Sequence, residues 1–167
     1  MITVVTGCPR SGTASAARYY GLGHEKLNDK GISSWVLASR AKGAVPWGPS
    51  WSQIPEGRKI IHQVRSPLAC ISSMTTISSL SWDYIYSRCS VNPDDSLPER
   101  CMSLWVLWNR MAEKLADETV RVEDLDCLNT TLNKRNHVSY TSEYLMGCNE
   151  ALFGKVCKLA SKYGYEL

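Results

Sequence analysis

At 167 residues, 44% of them hydrophobic and 21% charged, the chain has the composition of a globular protein and the length of a single domain, taken as residues 1–167. A net charge of +3 is too small to point to nucleic acid, though it suits an anionic ligand. No run of about 18 apolar residues marks a membrane span, and no basic-then-apolar leader precedes the first strand, so a cytoplasmic chain without a membrane partner is expected.

The first element is a short apolar strand, Ile2 to Val5. It runs into a glycine-bounded loop, Gly7-Cys8-Pro9-Arg10-Ser11-Gly12, and a helix opens near Thr13 with Ala14, Ala16, Ala17 and Tyr20. Strand, glycine-bounded loop and helix together turn backbone N–H groups toward an anion, and the helix dipole adds positive potential there. Arg10 supplies a permanent cation, and Ser11 and Thr13 supply hydroxyls. A nucleoside-triphosphate loop reads G-x-x-x-x-G-K-[ST]. Here Gly7 and Gly12 keep that spacing, but Thr13 follows Gly12 directly and the lysine is missing. A phosphatase-type cysteine loop, C-x5-R-[ST], fails on spacing, because Arg10 lies two residues after Cys8. The helix start could still lower the pKa of the Cys8 thiol and make it reactive. The seven cysteines, at positions 8, 70, 89, 101, 127, 148 and 157, are scattered without a Cys-x-x-Cys pair, which argues for reduced thiols rather than disulfides or a zinc site.

Leu22-Gly23-His24-Glu25 reads as a short strand or loop beside this site, and Gly31 to Ala38 as a helix with an apolar face. Residues 43–58, rich in Gly, Pro, Ser and Trp, are the least regular stretch. Lys59-Ile60-Ile61-His62-Gln63-Val64 has the β-branched enrichment of a buried parallel strand. It ends at Arg65-Ser66-Pro67, before a helix over Leu68 to Ile77. Ser96-Leu97-Pro98-Glu99 is a capping box that starts a helix reaching about Ala116, with Leu104, Leu107, Trp108, Met111 and Leu115 on its core face. Thr119 to Val122 reads as another parallel strand, followed by a structural Glu123-Asp124-Leu125. Asn133-Lys134-Arg135-Asn136-His137 is a basic cluster, read first as a solvated loop. The last helix runs from Asn149 to Tyr163 and is closed by Gly164. Alternating strands and helices call for an α/β fold with a parallel sheet covered on both faces.

Pro9-Arg10-Ser11-Gly12-Thr13 after a strand resembles the 5′-phosphosulfate loop of the sulfotransferase family, which reads Pro-(Lys/Arg)-Ser-Gly-Thr. The family also holds the donor's 3′-phosphate with an arginine at a strand end and a serine eight residues on. Arg65 and Ser73 match that spacing. The Arg-x-Pro followed by Ser-Met is similar to the tyrosylprotein sulfotransferases, as is Gly23-His24-Glu25 to their Gly-Glu-Glu, whose second glutamate is the base. The connection from the loop to this motif is several residues shorter here, so Glu25 matches by motif rather than by distance. His24 is the second candidate, since soluble sulfotransferases use a histidine, though from a later region. Bacterial members carry a similar Asn-x-Arg-x-His, and other branches place a basic loop on the 3′-phosphate, which brings in Arg135.

The resemblance implies a three-layer α/β/α sulfotransferase fold related to that of P-loop NTPases. It implies transfer of a sulfuryl group from 3′-phosphoadenosine 5′-phosphosulfate (PAPS) to a hydroxyl or amine, releasing 3′,5′-ADP, with no metal required. Pro9, Arg10, Ser11, Gly12, Thr13, Ala14, Arg65, Ser73 and Arg135 would bind the donor, and Arg10 would also stabilise the leaving group. The acceptor's class is left open: sugar, lipid, phenol and peptide are all admissible. The chain is well short of most family members, so elements enclosing the acceptor are either missing or supplied by a partner chain, as in a homo-oligomer. Two alternatives stand beside this reading: a nucleotide or small-molecule kinase, and a donor-binding module without activity.

Overall fold

The computed structural model describes residues 1–40, 48–125 and 138–167. Two compact units are formed, one from residues 1–65 and 109–132, the other from residues 66–108 and 133–167.

The first unit is built on a five-stranded, wholly parallel sheet: β1 (Thr3–Gly7), β2 (Gly23–His24), β3 (Gly31–Ser33), β4 (Lys59–Val64) and β5 (Glu118–Arg121), in the spatial order β2-β3-β1-β4-β5. Successive strand residues point to opposite faces, and both faces of β1 are apolar. Val4 packs with Ile32, Leu37, Ile54 and Ile60, whereas Val5 packs with Ala16, Leu22 and Ile61. Helix α1 (Thr13–Tyr20) thus covers one face, and the 3₁₀ turn Trp35–Ser39 lies with Ile54 over the other. Continuous burial along β1 and β4 is what a parallel sheet covered on both sides requires.

One sequence expectation changes here. Gly31 to Ala38 is not a single helix: Gly31–Ser33 forms β3, and the 3₁₀ turn follows it. The strand is set by Gly31, which pairs with Thr3 at φ 136°, so close that a Cβ would stand 1.8 Å from the Thr3 carbonyl oxygen. His62 is buried within β4, its imidazole nitrogens 3.1 Å from Asn109 Oδ1 and 3.3 Å from Thr119 Oγ1.

The second unit is helical: α2 (Pro67–Met74), α3 (Ser79–Tyr86), the first turns of α4 (Leu97–Glu113), α5 (Ser142–Cys148) and α6 (Glu150–Lys162). Ser96 starts α4 as expected, its N–H donating to the Glu99 carboxylate at 3.1 Å. The buried face of α4 is rotated from the expected stripe. Cys101, Leu104, Trp105, Trp108 and Ala112 are buried, while Leu107, Met111 and Leu115 are only half-buried. The expected last helix is preceded by a separate one, α5, and Asn149 caps α6 by accepting the Leu152 N–H at 3.0 Å. Gly164, at φ 79°, ends α6 with the Gly164 N–H bonded to Ser161 O and the Tyr165 N–H to Ala160 O, each at 3.0 Å. Among the described residues no helix is long and apolar enough to cross a membrane.

Candidate anion site at the carboxyl end of strand β1

Strands β2 and β3 lie on one side of β1, and β4 and β5 on the other, so the direction in which strands are added reverses at β1. Open parallel sheets bind ligands outside the carboxyl ends of their strands at such a reversal. The carboxyl end of β1 is Gly7, where the Cys8–Gly12 loop begins.

Two backbone features shape the loop. Arg10 adopts a left-handed backbone at φ 69°, and Gly12 does so at φ 93° as it caps α1. Neighbouring β4 braces the loop from behind: the Gln63 side-chain amide donates to the Ser11 carbonyl at 2.7 Å, and Arg65 Nη1 donates to the Arg10 carbonyl at 3.2 Å. Because the carbonyl and the following N–H of a peptide point in opposite directions, holding the Ser11 carbonyl inward turns the Gly12 N–H outward. Tight packing enforces this arrangement. A Cβ on Gly7 would stand 2.2 Å from the Gln63 carbonyl oxygen and 2.8 Å from Ser11 Oγ, and one on Gly12 would meet Val122 at 2.9 Å.

Ser11 is 1% exposed, yet among the described residues its hydroxyl has no hydrogen-bond partner; Gln63 Oε1 has none either, but as an acceptor it offers nothing to an oxyanion. A buried polar atom left unsatisfied costs about 1–3 kcal/mol, so the Ser11 hydroxyl is a donor still open to a further polar group. The Ser11 hydroxyl lies across the curl of the loop from Gly7, and the outward N–H of Gly12 and the N–H groups of Thr13 and Ala14 are donors, the Ser15 N–H being bonded to the Gly12 carbonyl at 2.9 Å. The residues at this loop therefore fit a phosphate-like oxyanion. Cys8 is fully buried within it, so the thiol expected to be reactive does not face solvent.

Glu25 and His24 come to the same helix start from β2, the edge strand beyond β3. Thr13 Oγ1 lies 3.4 Å from His24 Nε2, which is 3.7 Å from Glu25 Oε1. The Glu25 backbone is left-handed at φ 56° and its N–H donates to the Ser33 carbonyl at 3.0 Å. Gly23 makes the turn possible, since a Cβ there would lie 1.7 Å from the Lys26 carbonyl oxygen. At the end of β3, the Ser33 hydroxyl donates to the Thr13 carbonyl at 2.7 Å, and the Ser34 hydroxyl donates to Glu25 Oε2.

The electrostatics of the pair follow from burial. Burial raises the Glu25 carboxyl to about 7, against hydrogen bonds from the Ser34 hydroxyl and the Trp35 N–H that favour its charged form. Burial also holds the His24 imidazole below its usual value, with the Arg18 guanidinium pushing the same way. Near neutrality His24 is uncharged and Glu25 is poised between its two forms, so their contact is a polar one rather than a standing ion pair.

The structure thus gathers Pro9, Arg10, Ser11, Gly12, Thr13, Ala14, His24, Glu25 and Arg65 within the first unit. Ser73 lies in the second unit, near the end of α2, and Arg135 lies outside the described residues. Sequence reasoning missed Gln63, Ser33 and Ser34. A polar residue within a buried strand run and two hydroxyls at a strand end were the available signals, and neither specifies a partner. Compared with known proteins, the chain matches no family model, no curated protein and no solved structure.

Proposed function

We propose that the chain is a sulfotransferase that moves a sulfuryl group from PAPS to a hydroxyl or amine acceptor. The observation that carries this reading is the run of contacts from Thr13 through His24 to Glu25, which sets a carboxyl titrating near neutrality beside a loop fitted to an oxyanion. General-base efficiency is greatest when the base titrates near working pH. The Pro-Arg-Ser-Gly-Thr loop without a P-loop lysine points to phosphosulfate rather than a triphosphate.

In this reaction the acceptor oxygen or nitrogen forms a bond to sulfur as the bond from sulfur to the 5′-phosphate oxygen breaks. Glu25 Oε1 takes the acceptor's proton. Charge developing on the leaving phosphate is met by the Arg10 guanidinium, the Ser11 hydroxyl and the amides at the start of α1. Arg65 is assigned to the 3′-phosphate, the group that separates this donor from ATP.

Transfer of labelled sulfuryl from PAPS to pooled acceptors, run in excess EDTA, tests the proposal. Transfer is expected to persist, to rise with pH through about 7 as Glu25 loses its proton, and to fall about 10²–10⁴-fold in Glu25→Gln. Strict dependence on Mg²⁺ with ATP preferred as donor would replace this reading with a kinase. An active Glu25→Gln beside an inactive His24→Asn would move the base to His24.

A further inference from the structure

We propose that Ser34 is the positioning residue of this site: its hydroxyl clamps one carboxylate oxygen of Glu25 and leaves the other turned toward His24 and the start of α1. The inference deepens the sulfotransferase reading, but its test does not depend on turnover.

Three observations fix the arrangement. Ser34 is fully buried, and its N–H donates to the Val5 carbonyl at 2.9 Å, so its backbone is anchored to β1, the strand that leads into the anion loop. Its hydroxyl donates to Glu25 Oε2, and the Trp35 N–H also bonds that carboxyl. The remaining oxygen, Oε1, is the one 3.7 Å from His24 Nε2. A carboxylate hung on a left-handed backbone in a tight turn has several rotamers open to it, and a hydroxyl donor on a buried strand end selects one. Ser33, the preceding residue, acts elsewhere, holding the Thr13 carbonyl at the first residue of α1. Consecutive hydroxyls at the end of β3 therefore reach the helix start and the carboxyl separately.

Among the described residues, the titratable and charged groups bearing on Glu25 are His24 on β2 and, acting on His24, Arg18 of α1. From the end of β3 and the turn after it come the neutral Ser34 hydroxyl and the Trp35 N–H. A donor that favours the charged carboxylate lowers its titration midpoint, so removing the donor must raise it.

The experiment follows the Glu25 carboxyl by carbon-13 NMR across pH, on the full chain with no donor or acceptor present. Ser34→Ala is expected to move the Glu25 midpoint upward by about half a pH unit or more. Ser33→Ala, which removes a neighbouring hydroxyl that does not touch the carboxyl, should leave that midpoint in place. Ser34→Thr, which keeps the hydroxyl, should return the midpoint toward that of the unaltered chain. If the added methyl unfolds Ser34→Thr, the contrast between the two alanine variants decides. An unmoved midpoint in folded Ser34→Ala, or equal shifts in Ser33→Ala and Ser34→Ala, overturns the proposal. Because no transfer is measured, the role of Ser34 is decided even in a chain that moves some other group. Where transfer is observed, Ser34→Ala should lower kcat while leaving the KM for the donor near its original value.

Discussion

Glu25 carries two unfavourable features at once. A left-handed backbone costs of order 1 kcal/mol for a residue with a side chain, and burial raises its carboxyl to about 7 from an ordinary value of 4.5. Residues that work against folding in this way concentrate where a site's geometry outranks stability. The raised value has a definite sign in the linkage of pH to stability. Between about 4.5 and 7 the folded chain keeps a proton that the unfolded chain has released, so folding is favoured on the acid side. The contribution is complete below about pH 4.5 and is lost as pH rises through about 7. Its upper bound is about 3 kcal/mol, reduced because the side chain remains 21% exposed. Urea denaturation from about pH 4.5 to 7.5 should show the unaltered chain losing stability more steeply than Glu25→Gln. Parallel curves for the two chains would mean that the carboxyl is solvated and titrates normally.

Among the elements, β1, the loop and α1 were legible because each carries its own local signal: β-branched residues, two glycines at fixed spacing, and an alanine-rich first turn. Strand β4 was legible for the same reason. Strand β3 was not, since Ile32, Val36 and Leu37 fall at helical spacing and only the partner strand reveals that Gly31 must lie flat against Thr3. Helix α3 was hidden in a serine- and threonine-rich stretch whose buried residues, Trp82, Tyr84 and Ile85, make sense only after folding. At the site, the loop and the Gly23-His24-Glu25 motif could be read, but the braces could not: Gln63 and Ser34 act through contacts far along the chain or across strands. The account of β3 predicts a large difference between two glycines. Gly31→Ala places a Cβ against the Thr3 backbone, and a loss on the order of 3 kcal/mol is expected. Gly57, at φ 69° with nothing within 4 Å of its would-be Cβ, should lose only about 1 kcal/mol on the same change. Urea midpoints compare them directly, and similar losses would show that the close approach at Gly31 is readily relaxed.

For the molecule as a whole, the proposed function rests on where the sheet reverses. Strand order turns at β1, so the Cys8–Gly12 loop leaves the sheet where α/β folds place their ligands. Around that point the first unit collects a cation, a buried hydroxyl without a partner among the described residues, a helix start and a carboxyl titrating near neutrality. The central claim is that this loop takes the phosphate of a 3′-phosphorylated adenine nucleotide without a metal. Calorimetry with 3′,5′-ADP in EDTA, set beside ADP with Mg²⁺, tests it most directly. The account predicts that 3′,5′-ADP binds in EDTA and is preferred, and that Arg10→Ala weakens it about 10–150-fold, the loss of one charge-assisted bond. Binding of ADP with Mg²⁺ in preference to 3′,5′-ADP, or equal affinity in the unaltered chain and Arg10→Ala, would contradict it.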